Sequence, residues 1–223
     1  MSTLHLAIAL GPLAVYCLTL GLINRVGRPV ITNGTREIYA VGLAVSGLVF
    51  LGPLTLFVPE AVAENIGVTH FNTIVGWGFM VLTYLLGLTL FVLLSRQRLV
   101  VYNVSVDQVR MALDSLLRRH NLEHEWAGDA LAIAPLGVQL QVDSVPRLRN
   151  VSLVATTGRQ NYLGWRHLER ELALELTQFE SAPGLAGVVF LSVGVATLVA
   201  LAFGLVAQDP SELSAALQEI LLP

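Results

Sequence analysis

The chain has 223 residues, of which 54% are hydrophobic and only 13% are charged, and its mean hydropathy is +0.68. A soluble domain usually carries about 25% charged residues, so this composition argues against a purely soluble protein and for contact with lipid. The formal net charge of −3 is small and says little about partners, and all 13 strongly basic side chains are arginines.

Four segments are apolar over the roughly 20 residues that a helix needs to cross a hydrocarbon core of about 30 Å. They lie at about 4–23, 38–58, 73–95 and 185–207, the last within the segment 183–207, and none contains Asp, Glu or Arg. The residues before the first segment, Met1 to Thr3, lack the positive charge that usually begins a cleaved signal peptide. The sequence therefore predicts a membrane all-α bundle of four transmembrane helices, the first of them retained.

The arginines lie in alternate connections between these segments. The 24–37 loop contains Arg25, Arg28 and Arg36, and 96–182 contains the other ten, whereas 59–72 and 208–223 contain none. Cytoplasmic loops of membrane proteins carry the excess of basic residues. We therefore expect both termini outside, the 24–37 loop and the 96–182 domain in the cytoplasm, and a bacterial inner membrane as the location.

Residues 96–182 differ from the rest of the chain because charged residues return and apolar residues become periodic. Strands are predicted at 99–104, 123–126, 130–134, 138–142 and 150–157, and helices from the capping box Ser105-x-x-Gln108 to about 121 and over 162–179. We summarise the order as β-α-β-β-β-α. It predicts a small α+β sandwich, inserted between spans three and four, in which two helices cover one face of an antiparallel sheet.

Small residues recur at helical spacing in two of the predicted spans. The fourth span has Ser192, Ala196, Ala200 and Gly204 four residues apart, and the second has Gly42 and Ser46. Small side chains let helix backbones approach closely. We predict that these residues pack helices, in the first place within the chain's own four spans and otherwise against a partner subunit.

Arginines near the predicted inner membrane surface are candidates for contact with anionic lipid headgroups or a partner protein. They are Arg96, Arg98, Arg118, Arg119, Arg147 and Arg149. A plain solvated surface explains them equally well. The tail 208–223 has the apolar spacing of a short amphipathic helix, which we expect on the outer membrane face.

No catalytic motif stands out in the sequence. A phosphate-binding glycine loop, a nucleophile elbow and a zinc-protease motif are all absent, and the single cysteine, Cys17, cannot form an intrachain disulfide or a thiolate metal site. His120 and His124 lie among acids at a helix end, where His120 is predicted to cap the helix. We expect no catalytic residues, no metal, no cofactor and no nucleic-acid partner.

These patterns favour a non-catalytic integral membrane subunit that assembles a larger complex through its helix faces and its membrane-bound domain. Its expected partners are the lipid bilayer and other membrane subunits or further copies of itself. A sensor or regulator remains an alternative, with a ligand pocket expected near Trp126, Trp165 and the neighbouring arginines. An oligomeric small-solute transporter is a third and weaker hypothesis, because transport pathways usually need charged residues within the spans and these spans have none.

Overall fold

The computed structural model describes residues 3–57, 73–145, 149–158, 160–179, 184–208 and 211. Within these ranges the chain forms six α-helices: α1 (Thr3–Arg25), α2 (Gly34–Phe57), α3 (Thr73–Leu94), α4 (Val106–Arg119), α5 (Tyr162–Leu176) and α6 (Leu185–Val206). The strands are β1 (Val30–Asn33), β2 (Arg98–Tyr102), β3 (His124–Ala127), β4 (Ala130–Ile133), β5 (Val138–Val145) and β6 (Asn150–Ala155). Apart from residues 208 and 211, the predicted tail helix lies outside the described residues.

The chain divides into two compact units. The helical unit contains Met1–Thr19, Ile38–Leu94 and Phe190–Pro223, and the α+β unit contains Leu20–Glu37 and Ser95–Val189. The α+β unit therefore extends beyond the predicted 96–182 domain, since it also takes in the end of α1 and the whole loop that follows.

The α+β unit is built on a six-stranded sheet of order β1-β2-β6-β5-β4-β3, antiparallel throughout. Successive residues of a strand point to opposite faces, and β5 follows this rule closely. Its Val138 and Leu140 are buried, whereas Gln139 and Gln141 are exposed. One face of the sheet is therefore apolar at this point and the other is solvated.

The helices α4 and α5 bury their apolar stripes against this apolar face. The two helices and the strands share one core, in which Leu113, Leu117, Leu168 and Leu172 are fully buried. A side chain of this size contributes about 1.5–3 kcal/mol on full burial. Packing of the two helices on one face of the sheet is as the sequence predicts.

Local caps set where these helices begin. Ser105 accepts a hydrogen bond from the Gln108 N–H at 3.2 Å, and Gln108 Oε1 accepts from the Ser105 N–H at 3.0 Å, which confirms the predicted capping box. Asn161 Oδ1 accepts from the Leu163 N–H at 3.0 Å and so begins α5. Polar residues next to each helix thus fix its first turn.

The predicted strand order β-α-β-β-β-α is wrong in its strand count. Four strands lie between α4 and α5, one for each of the segments predicted at 123–126, 130–134, 138–142 and 150–157, whereas the summarised order has only three strands there. A sixth strand, β1, comes from the 24–37 loop and pairs with β2. The loop forms a strand because Val30–Thr32 is rich in β-branched residues, which favour strands, and pairs with the edge of β2.

The 24–37 loop is also tied to the sheet by side chains. Asn103, which is 2% exposed, donates through Nδ2 to the carbonyl oxygens of Ile23 and Arg28. Glu37, in the first turn of α2, pairs with Arg98 of β2 at 2.9 Å. The end of α1 and the start of α2 are therefore part of the α+β unit's own packing.

The helical unit packs through glycines. A Cβ added to Gly47 of α2 would collide with the backbone oxygen of Ile8 in α1, and one added to Gly194 of α6 would lie 2.8 Å from the Leu18 side chain of α1. A side chain at Gly47 would require the α1 backbone to shift, and one at Gly194 would require Leu18 to move. These contacts join α2 and α6 to α1.

Two helices of the described chain, α1 and α6, are long and apolar enough to cross a membrane. In the 18-residue apolar stretch of each helix, only 17% of α1 and 6% of α6 are buried. The core helix of a soluble protein, in contrast, is mostly buried. A shorter apolar stretch, Gly78–Leu94, lies in α3. Side chains of α2 are described only as far as Val49. The structure thus gives two candidate spans where the sequence predicts four.

Candidate functional site

A cleft opens in the α+β unit between the edge strand β1 and α5. Its volume is about 420 Å³, within the range of about 300–1,000 Å³ that is typical of small-molecule sites. Three arginines, one acid, one tyrosine, one asparagine and two apolar residues line it: Arg36, Arg166, Arg170, Glu169, Tyr162, Asn33, Ile31 and Ala173.

Strand β1 brings the loop residues of this cleft to α5. Ile31 and Asn33 lie opposite β2 residues whose side chains are buried under the helices. Opposed residues of an antiparallel pair point to the same face, so Ile31 and Asn33 point toward the helices. Asn33 Oδ1 accepts a hydrogen bond from the Thr35 N–H at 3.1 Å, and Arg36 follows in the first turn of α2.

The other wall is one exposed face of α5. Tyr162, Arg166 and Arg170 are four residues apart and therefore lie above one another on the helix surface. The opposite face is held in the core by Trp165 and Leu168, so the arginine face cannot turn inward. The Arg166 guanidinium carbon lies 5.9 Å from the centroid of the Tyr162 ring, close enough for a cation–π contact.

The arginines that line the cleft differ in their ion pairing from other arginines of the α+β unit. Among the described residues, Arg36, Arg166 and Arg170 form no ion pair, and Glu169 is the one acid in the lining. Other arginines of the α+β unit are paired: Arg98 with Glu37, Arg110 with Asp129 and Arg119 with Glu175. The cleft therefore carries two net positive charges in a solvent-accessible concavity, which favours an anion.

The structure describes five of the six arginines that the sequence named as candidate contacts. Arg98 is half-buried against Glu37, while Arg96, between α3 and β2, and Arg118, in α4, are exposed. Arg149 adopts a left-handed backbone (φ +49°), and its carbonyl accepts from the Val104 N–H at 3.2 Å. Arg147 lies outside the described residues.

A buried carboxylate explains the position of Arg119. Glu175 is 4% exposed, accepts a hydrogen bond from Ser115 Oγ at 3.3 Å and pairs with Arg119. His120 is the C-cap residue of α4, as predicted, and its Nε2 lies 3.4 Å from the Glu171 carboxylate. Within the described part of the chain, no group of three or more His, Cys, Asp or Glu side chains is placed to hold a metal ion. The contacts of Arg119 with Glu175 and of His120 with Glu171 join the end of α4 to α5.

The small-residue series of α6 does not lie on one packed face. Ser192, Ala196 and Ala200 are exposed, whereas Gly204 lies against the Thr3 side chain of α1. Residues four apart on an α-helix are rotated by about 40°, so the series turns by about 120° from its first member to its last. Three of the four predicted packing residues are thus exposed in the part of the chain that the structure describes.

The packed face of α6 follows a seven-residue spacing instead. Gly194 contacts Leu18 in the helical unit, and Leu201 is 9% exposed. In the α+β unit, Gly187 lies against Asn24. Residues seven apart differ by only about 20° of rotation about the helix axis, so Gly187, Gly194 and Leu201 lie on one side of α6. The small residues Ser192 to Ala200 lie on the opposite side of the helix.

The two small residues predicted in α2 have different surroundings. Gly42 is buried, a Cβ added there would lie 2.7 Å from Leu88 of α3, and its carbonyl accepts from Tyr84 Oη at 2.6 Å. The Ser46 hydroxyl donates to the Leu43 carbonyl of its own helix at 2.7 Å. Gly42 therefore sits at a close approach of α2 and α3.

Sequence reasoning expected a pocket near Trp126, Trp165 and the neighbouring arginines, but it did not place the 24–37 loop at α5, because the two are distant in the chain. Arg166 and Arg170 are four residues apart on a predicted helix, and this spacing places them on one face. Arg36 joins them only through the pairing of β1 with β2. A usable signal was present, since Val30-Ile31-Thr32 between Pro29 and Gly34 has the composition of a short strand.

The chain matches no protein-family model, no curated protein and no solved structure. Function is therefore inferred from two surfaces: the arginine-lined cleft of the α+β unit and the outward small-residue face of α6.

Proposed function

We propose that this chain is a non-catalytic integral membrane subunit that assembles with other membrane helices. In this proposal α1, α2, α3 and α6 are four spans of a bacterial inner membrane, both termini are outside, and the α+β unit is cytoplasmic. The one-sided distribution of the arginines supports this orientation. The exposed apolar side chains along the helices, such as Leu43, Phe79 and Phe203, support embedding in lipid.

The observation that carries the proposal is the outward face of α6. Ser192, Ala196 and Ala200 form a shallow strip there, with the exposed β-branched residues Val195 and Val199 beside it. In a bilayer the hydrophobic effect does not drive helices together, so association depends on close packing at small residues. A face of small, exposed side chains is suited to another helix.

The mass of the particle tests the proposal. We expect the full chain, extracted into native nanodiscs or mild detergent, to have a protein mass well above the 24.1 kDa of one chain. The additional mass would be further copies or a copurifying membrane protein. A homogeneous monomer with no copurifying protein would contradict the proposal.

Cysteine labelling tests the orientation separately. The chain has one cysteine, so single-cysteine variants can be built on Cys17→Ser. Glu123→Cys in the α+β unit should react with a membrane-impermeant maleimide only after the cells are lysed, and Ser211→Cys should react in intact cells after the outer membrane is permeabilised. The reverse pattern would overturn the orientation without affecting the assembly proposal.

A regulatory subunit is the second candidate, and the arginine-lined cleft is the observation that favours it. In this case a small ligand bound between β1 and α5 would act on α2, because Arg36 belongs to both the cleft and that helix. Thermal unfolding of the full chain in detergent separates the two candidates. A rise in the unfolding temperature with a small anion supports regulation, and the absence of any rise leaves assembly alone.

A further inference from the structure

We propose that the cleft between β1 and α5 is a binding site for a phosphate-bearing anion. This inference names the ligand class of the regulatory candidate, whereas the assembly proposal does not depend on it. It rests on the convergence of Arg36, Arg166 and Arg170 around one concavity of about 420 Å³.

The charges of the cleft match a dianion. Arg166 and Arg170 are like charges four residues apart on one helix, an arrangement that is unfavourable by itself. Arg36 adds a third positive charge from α2, and Glu169 supplies the one negative charge of the lining. Two net positive charges are balanced by a phosphate monoester, which carries about −1.5 to −2 charges at pH 7.

The donor groups also fit phosphate better than a single carboxylate. Each guanidinium presents a planar fork of N–H donors that binds two oxygens at once. Asn33 has its Oδ1 engaged by the Thr35 N–H, so its amide nitrogen is the group that can donate to a ligand. The Tyr162 ring lies against Arg166, which limits the conformations of that guanidinium before the anion arrives.

The phosphate can come from a soluble metabolite or from a phospholipid headgroup. Arg36 lies two residues before the predicted start of the second span at Ile38, about 3 Å along the helix axis. A lipid phosphate at the inner surface would therefore be close to this arginine. The open cleft also admits a small soluble phosphate monoester, so the two sources are separated by experiment.

Two arms use the full chain in nanodiscs of phosphatidylcholine. In the first, glycerol 3-phosphate is titrated by calorimetry. In the second, phosphatidic acid is incorporated and bound lipid is counted by native mass spectrometry. We expect saturable binding in at least one arm, and Arg166→Gln and Arg170→Gln should each weaken it about tenfold, since each removes charge-assisted hydrogen bonds.

Arg110→Gln is the matched control, because it removes one arginine of the same unit that lies outside the cleft and is paired with Asp129. It should leave the affinity within a factor of two. Binding in the first arm alone assigns a soluble ligand, and binding in the second alone assigns a lipid headgroup. The proposal is overturned by no binding in either arm, by an equal loss in Arg110→Gln, or by succinate binding more tightly than glycerol 3-phosphate.

Discussion

The side-chain amide of Asn103 lies 2.6 Å from the carbonyl oxygen of Ile23 and 3.1 Å from that of Arg28. Ile23 belongs to the last turn of α1, where carbonyl groups have no partner within the helix. Asn103 therefore caps α1 from a position 80 residues later in the chain. Its backbone is left-handed (φ +62°), a conformation that asparagine tolerates better than most residues.

Loss of this cap should loosen the segment between α1 and β1. Asn103→Gly removes both hydrogen bonds but suits the positive φ, and should destabilise the α+β unit by about 2 kcal/mol. Asn103→Ala removes the same bonds and also strains the backbone, which adds about 1 kcal/mol. Hydrogen exchange of the amides at 24–30 measures the effect. Equal exchange in wild type and both variants would show that the cap contributes nothing.

The residues that the sequence predicted well are those whose structure is decided locally. The helix α4 follows from the capping box at Ser105 and from apolar residues at helical spacing, and β5 follows from strict alternation over Val138–Val142. In both elements the residues that the apolar pattern marks are the ones that are buried in the core. The antiparallel sheet was therefore predictable from 96–182, apart from the count of its strands.

The residues that the sequence did not place are those that depend on distant pairing. Val30–Asn33 is only four residues long, and its partner β2 begins 65 residues later, so no local pattern reveals the ladder. For the same reason the cleft could not be predicted from a local pattern, because Arg36 is brought to α5 only when β1 pairs with β2. The outward direction of Ala196 likewise depends on which face of α6 the glycines hold against α1.

Arg119 should be important for stability because of the charge that it neutralises. Glu175 is 4% exposed, so removal of the arginine leaves its carboxylate buried and without the paired charge. Among the described residues, Ser115 then remains as a hydrogen-bond donor to it. We expect Arg119→Ala to destabilise the α+β unit by about 1–3 kcal/mol. The cost is at the low end for a buried pair because the Arg119 side chain is 56% exposed.

The double variant Arg119→Ala/Glu175→Gln isolates this cause. A neutral amide carries no charge to bury, so the second substitution should recover most of the loss. The neighbouring exposed residue provides the control, and Arg118→Ala should change the unfolding temperature little. A double variant as unstable as Arg119→Ala would mean that lost packing, and not the charge, causes the effect.

The contact of α2 with α1 should tolerate no side chain at Gly47. An added Cβ there meets the backbone oxygen of Ile8, which cannot move without its helix, whereas an added Cβ at Gly87 of α3 meets no atom of the described residues within 4 Å. We expect Gly47→Ala to destabilise the helical unit by about 1–3 kcal/mol. Gly87→Ala should be neutral or stabilising by up to about 1 kcal/mol, since alanine favours the helix.

Thermal unfolding in one detergent compares these two glycine variants directly. The order of the unfolding temperatures should be Gly87→Ala at or above wild type and Gly47→Ala well below it. The same substitution in two apolar helices differs here only in what surrounds the new methyl group. Equal unfolding temperatures would show that α1 and α2 do not pack at Gly47 in the membrane protein.

The outward face of α6 should be sensitive to bulk if it binds another helix. Ala196 and Ala202 are both exposed on α6, but they lie about 120° apart around the helix axis. Ala196→Leu would fill the small-residue strip and hold a partner helix away, so we expect it to weaken association at least about tenfold. Ala202→Leu adds the same side chain to a different face and should leave association unchanged.

Single-molecule photobleaching or mass photometry in nanodiscs reads out the two variants of α6 against wild type. Both should insert equally, because leucine is favoured over alanine in lipid, so a change in particle mass reports assembly and not folding. If Ala196→Leu and Ala202→Leu both assemble like wild type, the strip faces lipid and the subunit contact must be sought on another helix. If both disrupt assembly, the interface is wider than the strip and extends around α6 toward the side on which Gly194 packs against α1.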